Sequence, residues 1–229
     1  MRGDDVFVEI PPYRADIMHP WDIIEDVAIG YGFENVPPEL SKTATLGSIH
    51  PSELLKGRMR EVMTGLGYME VMPFTLTNER QHFELMQRQV SDKVTYVTHP
   101  ISEDHTMLRT TLLPGLLEIL SLNRHRELPQ RIFEVSDVVL ERQNSLHLAA
   151  ASASAHSNFA QIYAALSAVM RERQIGFEVV ESSDPAFLAG RRAHVLIGGE
   201  AAGVFGELHP DVILNFGMDQ PVVAFELRL

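Results

Sequence analysis

At 229 residues and 45% hydrophobic content the chain is long enough for one large core with a small appendage, and no run approaches the ~18 uncharged apolar residues of a membrane span. It has no cysteine, which excludes disulfides, thiol catalysis and thiolate metal sites, so any metal has to sit on oxygen or imidazole. The net charge of −12 is concentrated in residues 1–40, where nine acids face only Arg2 and Arg14. That edge repels phosphate backbones and favours a basic partner or a cation.

In chain order, Met1-Arg2-Gly3-Asp4-Asp5 opens without an apolar segment of signal-peptide type, so a cytoplasmic protein is expected. Val6 to Ile10, apolar at 6, 8 and 10, is predicted as a short strand ended by Pro11-Pro12. Pro20 opens a helix whose buried stripe is Ile23, Ile24, Val27, Ala28 and Tyr31, with acids in its first two turns and Gly30 and Gly32 at its end. A strand and one helix are too little to fold alone, so residues 1–38 are expected to be the end of a small module. Residues 39–50 form a polar connector, and 51–229 form the main domain.

In that domain Ser52 and Glu53 start a helix with Leu54, Leu55, Val62, Met63 and Leu66 on one side, left at Gly65 and Gly67. A strand is predicted from Tyr68 to Leu76, a short helix from Asn78 to about Met86, and a strand from Val94 to Thr98. Pro114 sits at a first helical turn, and Leu113, Leu116, Leu117 and Leu120 recur at helical spacing until His125 and Arg126. Arg131 to Leu140 follows as a strand, with Phe133, Val135 and Val139 on one face and Ile132, Val138 and Leu140 on the other. Apolar on both faces, it belongs inside a sheet.

Leu146 to Ala151 is a further strand, and Asn158 caps a helix bearing Phe159, Ile162, Tyr163, Leu166, Val169 and Met170. Strands at 176–180, 192–198 and 201–208 follow, the last two joined by a two-residue turn at Gly198-Gly199. Gly203 and Gly206 mark close backbone approach or bulges. His209-Pro210 starts a short helix, and Val222 to Leu227 is the last strand. The fold class predicted is α+β, a mainly antiparallel sheet flanked by helices.

Three signatures carry a resemblance: His99-Pro100-Ile101-Ser102-Glu103, then Leu108-Arg109-Thr110-Thr111-Leu112-Leu113-Pro114-Gly115-Leu116-Leu117, then Arg131-Ile132-Phe133-Glu134-Val135. With Gly203 to Pro210 and Asp219 to Glu226 they make residues 51–229 similar to the catalytic-like class II domain of phenylalanyl-tRNA synthetase beta subunits. Pro11 to Ile17, Asp22 to Ala28 and Tyr31 to Pro37 resemble the end of the winged-helix-like module that precedes it.

That resemblance implies a domain that pairs with the alpha subunit in an (αβ)2 assembly and does not itself adenylate, with ATP and tRNA engaged only by the whole enzyme. It also implies Mg²⁺ at the contact with the alpha subunit, on Asp16, Asp22, Glu25 and Asp26. Spacing permits this, since Asp22 shares a helix face with Glu25 and Asp26 and carboxylates suit Mg²⁺; equally, Asp22 can cap a helix whose other acids face water.

No catalytic or cofactor-binding residue is assigned. The family's catalytic chains carry one arginine after the strand matching 131–140, in an Arg-x-Glu arrangement, and another on a helix after a glycine-rich final strand. Here the first place reads Glu141-Arg142-Gln143, and Ala224 to Leu229 has no glycine-rich entry and reaches no helix. His99, His105, His125, His147, His156, His194 and His209 are spread over separate elements and read as surface or capping residues, and Arg191-Arg192 as a solvated pair. Two alternatives stay open: a stand-alone class II paralogue that adenylates an amino or other carboxylic acid, and a winged-helix nucleic-acid-binding regulator.

Overall fold

The structure is a computed structural model that describes residues 5–40, 42 and 45–229. These form two compact units divided between Ser48 and Ile49.

In the smaller unit α1 runs from Pro20 to Tyr31, with proline in its first turn and Gly32 at its end, at φ 91°. The strand expected at Val6–Ile10 is not formed: Asp5 makes an isolated bridge and 6–10 carry no regular structure. A strand exists only by pairing, and no neighbouring strand is present among the described residues of this unit. The stripe expected on α1 is present but open. None of its residues is buried, and Ile23, Ile24 and Val27 instead line an apolar groove with Val6, Val8, Ile10, Ile17 and Met18. Ser41, Thr43 and Ala44 of the expected connector lie outside the described residues.

The larger unit begins with α2, Pro51–Gly65, which buries Met59 and Met63. The single strand expected over 68–76 is broken into β1, Met69–Glu70, and β2, Leu76–Thr77. Pro73 between them has no N–H for a ladder. Asn78 accepts from the backbone N–H of Gln81 at 2.9 Å and leads into a π-helical turn at Arg80–Glu84. β3, Thr95–Tyr96, and β4, Met107–Leu108, complete a small antiparallel sheet in the order β2-β4-β3. β4 falls where the sequence suggested only loop.

The main elements follow as α3, Leu113–Leu122; β5, Gln130–Leu140; β6, Gln143–Ala153; and α4, Phe159–Glu172. β7, Glu178–Glu181, β8, Phe187–Ile197, and β9, Glu200–Leu208, precede α5, Pro210–Asn215, and β10, Val222–Arg228. A seven-stranded sheet has the order β1-β5-β6-β10-β9-β8-β7. All neighbours are antiparallel except β1 with β5. β5 therefore lies inside the sheet, as its two apolar faces require.

The alternation along β5 divides the core. Phe133 and Val135 join Leu148, Ala150, Val223 and Phe225 beneath α2 and α4, while Ile132 and Val138 join Ala149, Ala151 and Ala224 beneath α3. Two turns set the registers. Glu141 and Arg142 (φ 53° and 65°) close β5 onto β6, and Gly198 and Gly199 (φ 60° and 85°) close β8 onto β9. Positive φ at both central residues suits the right-handed twist of a hairpin.

Gly203 has no room for a side chain, since a Cβ there would lie 2.2 Å from the Glu226 carbonyl oxygen. Among the described residues, no helix is long and apolar enough to cross a membrane.

Candidate functional site

The α3 face of the sheet carries a buried polar array that alternation alone does not predict. Glu134 on β5 and Glu226 on β10 both stand opposite Ala149 on the strand between them. Each sits in an otherwise apolar strand, where water cannot reach its charge, and each is matched from within the fold.

Arg109, just after β4, donates to Glu134 at 2.6 Å, with side-chain exposures of only 4% and 3%. Its Nε and Nη2 also donate to the Asp137 carbonyl, at 3.3 and 3.2 Å. Burial pushes the Glu134 carboxyl above its ordinary range, against the pull of Arg109. On the other side Glu226 accepts from the backbone N–H of Leu112 with both oxygens, at 3.0 Å each, and from that of Leu113 at 3.2 Å. His147 lies 2.7 Å from the same carboxylate. Burial opposes the charge on Glu226, yet His147 and the Leu112 N–H hold its carboxyl below the usual range. α3 has no side-chain cap of its own, so Glu226 does that work from the far end of the chain.

His82 lies beside this array. Its Nε2 accepts from the Thr110 N–H at 3.1 Å and lies 2.9 Å from the Thr110 hydroxyl, and burial lowers its pKa to about 4. Between β7 and β8, Asp184 pairs with Arg88 at 2.6 Å. Arg192 is held by the carbonyls of Ser182, Asp184 and Phe187, so the solvated reading of the Arg191-Arg192 pair holds for Arg191 alone, which is exposed beside Glu207. The surface or capping reading of the histidines holds for His209, which caps α5. It fails for His147, and for His194, which bonds Ser182 at 3.0 Å.

The four carboxylates of the smaller unit are placed differently from a metal cage. Arg14 donates to Asp16 and to Asp26 at 2.8 Å each, lying between them. Asp22 turns back to the start of α1, where one oxygen accepts from the N–H of Met18 at 2.8 Å and of His19 at 2.7 Å. It completes a capping box with His19. Those two N–H groups hold its carboxyl below the usual range. Glu25 makes no ion pair among the described residues. No group of three or more His, Asp or Glu among the described residues is placed to hold a metal ion, so as they stand these side chains do not fit one.

Two family descriptions cover nearly the whole sequence: the phenylalanyl tRNA synthetase beta chain CLM domain over residues 36–229, and the tRNA synthetase B5 domain over 1–33. The chain belongs to the phenylalanyl-tRNA synthetase beta-chain family. It is 58% identical over 227 residues to the phenylalanine–tRNA ligase beta subunit of Methanococcoides burtonii, covering 99% of this chain and 42% of that one. It is 55% and 51% identical to those of Methanothrix thermoacetophila and Archaeoglobus fulgidus, again covering all of this chain and 42% of each relative. The chain thus spans about two fifths of the length of the curated relatives it matches. Among solved structures, a pyrrolysyl-tRNA synthetase of Desulfitobacterium hafniense superposes with a TM-score of 0.65 at 15% identity, over 78% of this chain and 66% of that one. The α+β fold is accordingly that of a class II aminoacyl-tRNA synthetase.

In this beta-chain domain Arg142 occupies the exposed two-residue turn between β5 and β6, and the buried cation on the α3 face, Arg109, is already paired. Sequence reasoning gave Glu134, Glu226 and His82 no role of their own and read His147 as a surface or capping residue. The available signal was a lone carboxylate inside an apolar strand, as in Ile132-Phe133-Glu134-Val135 and Ala224-Phe225-Glu226-Leu227.

Proposed function

We propose that this chain is the non-catalytic, class II-like part of a phenylalanine–tRNA ligase beta subunit. It pairs with the alpha subunit in an (αβ)2 assembly of the cytoplasm and holds that subunit in a ligation-competent arrangement. The alpha subunit adenylates phenylalanine with ATP and charges the tRNA. Residues 1–38 are the end of the small module, 39–50 a connector and 51–229 the catalytic-like domain. Mg²⁺ on Asp16, Asp22, Glu25 and Asp26 belongs to this proposal only as an ion acquired together with the alpha chain.

One observation carries the reading: the buried arginine on the α3 face of the sheet is already paired with a carboxylate. Adenylation requires cations free to meet the phosphates as charge develops. Here Arg109 is committed to Glu134, and Glu226 adds a second buried carboxylate that repels phosphate.

The test is phenylalanine-dependent ATP–pyrophosphate exchange, run on this chain alone and with an alpha subunit of the same source, together with co-elution. No exchange alone, with co-elution and exchange on adding the alpha chain, is the expected result. Exchange by the chain alone overturns the proposal in favour of a stand-alone adenylating enzyme.

A further inference from the structure

We infer that Arg14 is the resident counter-cation of Asp16 and Asp26, and that it keeps divalent cations off these carboxylates in this chain by itself. The guanidinium fork grips Asp16 three times, Nε to Oδ1 at 3.0 Å, Nε to Oδ2 at 3.1 Å and Nη2 to Oδ2 at 2.8 Å. From the same Nη2 it reaches across to Asp26 Oδ2 on α1, also at 2.8 Å. The two aspartates are ten positions apart, and the guanidinium bridges them.

Arg14 is less exposed than either partner, at 34% against 62% and 43%. One guanidinium stands against two carboxylates, so Arg14 offsets one of their two charges. Asp16 is held below the ordinary carboxylate range by Arg14. Asp22 Oδ2 is engaged as well, receiving two backbone N–H groups.

A Mg²⁺ ion needs near-octahedral oxygen at short distance and gives up water reluctantly. To reach Asp16 and Asp26 it has to displace a bidentate, charge-assisted contact while standing beside a positive guanidinium. An exposed pair of this kind adds little to stability. Its effect is exclusion, and it also ties the loop before α1 to the second turn of that helix. The clamp is built from this chain's own residues.

The test uses Mn²⁺ as a paramagnetic stand-in for Mg²⁺ on the whole chain and on Arg14→Gln. Backbone amide broadening is read at Asp16, Asp22, Glu25 and Asp26, and the Arg14 Nε–H resonance is followed in the wild type during a MgCl2 titration. In the wild type the expected result is no saturable broadening at Asp16 and Asp26 below about 10 mM metal, and an Arg14 Nε–H signal that does not move. In Arg14→Gln, broadening at Asp16 and Asp26 is expected to set in at concentrations at least tenfold lower. Saturable binding in the wild type, a shift of the Arg14 Nε–H signal on adding Mg²⁺, or a gain of less than tenfold in the variant overturns the inference. The two wild-type readouts decide it even where the variant loses the fold of this unit.

Discussion

Arg109 and Glu134 form a 2.6 Å ion pair in the core of the larger unit, with neither side chain more than 4% exposed. A buried pair of this kind is costly to break and cheap to replace, because removing one partner strands the other charge in a medium that cannot solvate it. Arg109→Met alone is therefore expected to lower the unfolding free energy by about 3–5 kcal/mol. Arg109→Met with Glu134→Leu is expected to recover most of that loss. Urea denaturation of the two variants checks this; a double variant as unstable as the single one sinks the account of Glu134 as the stranded group.

Glu226 links the last strand to the start of α3, 113 residues earlier, through the Leu112 and Leu113 N–H groups. Glu226→Ala leaves those donors without an acceptor and His147 without its partner, an expected loss of about 3 kcal/mol or more. Glu226→Gln keeps one acceptor oxygen and is expected to lose less. Amide hydrogen exchange at 112–116 should speed up in the alanine variant before the rest of the sheet does; uniform acceleration across both units contradicts a local cap.

His82 makes stability sensitive to acid. Its pKa is lowered to about 4 in the fold, against 6.5 when unfolded. The unfolded chain therefore takes up the proton first as pH falls. The contribution is fully present above about pH 6.5 and is lost between about 6.5 and 4, amounting to about 3 kcal/mol. Denaturation midpoints measured across that window should fall more steeply for the wild type than for His82→Gln, by about one proton taken up on unfolding. Equal slopes reject the assignment.

Gly203 is required by crowding, since a Cβ would meet the Glu226 carbonyl oxygen at 2.2 Å and Leu227 Cδ2 at 2.8 Å. The strand pair β9–β10 has to part to admit it. Gly203→Ala is expected to cost about 1–3 kcal/mol or more. Thermal unfolding measures this directly, and an unchanged midpoint means the strands separate without penalty.

Elements whose physics is local were legible in the sequence. The helix from Pro20 to Tyr31 was visible because proline and glycine act within a turn of where they stand, and Asn158 caps α4 by accepting from Gln161, three residues on. β5 was placed inside a sheet because alternation on both faces leaves it nowhere else to go. The α+β class and the family signatures were likewise written in contiguous residues.

What depended on distant partners was not legible. The strand at 6–10 was expected from its alternation and is absent, because pairing is a relation and alternation is not. Asp22, Asp16 and Asp26 share spacing that suits a cation, yet Arg14, on the loop before α1, lies between two of them and the helix start takes the third. Glu134, Glu226, Arg109 and His147 come from four segments and meet only when the sheet closes.

The sequence by itself determined the local elements, the fold class and the family, since propensity, capping and periodicity are set by neighbours along the chain. Only the tertiary structure decided which charges are spoken for. A buried carboxylate is tolerated or ruinous according to the partner that long-range folding brings within about 3 Å, and no spacing along the chain encodes that distance.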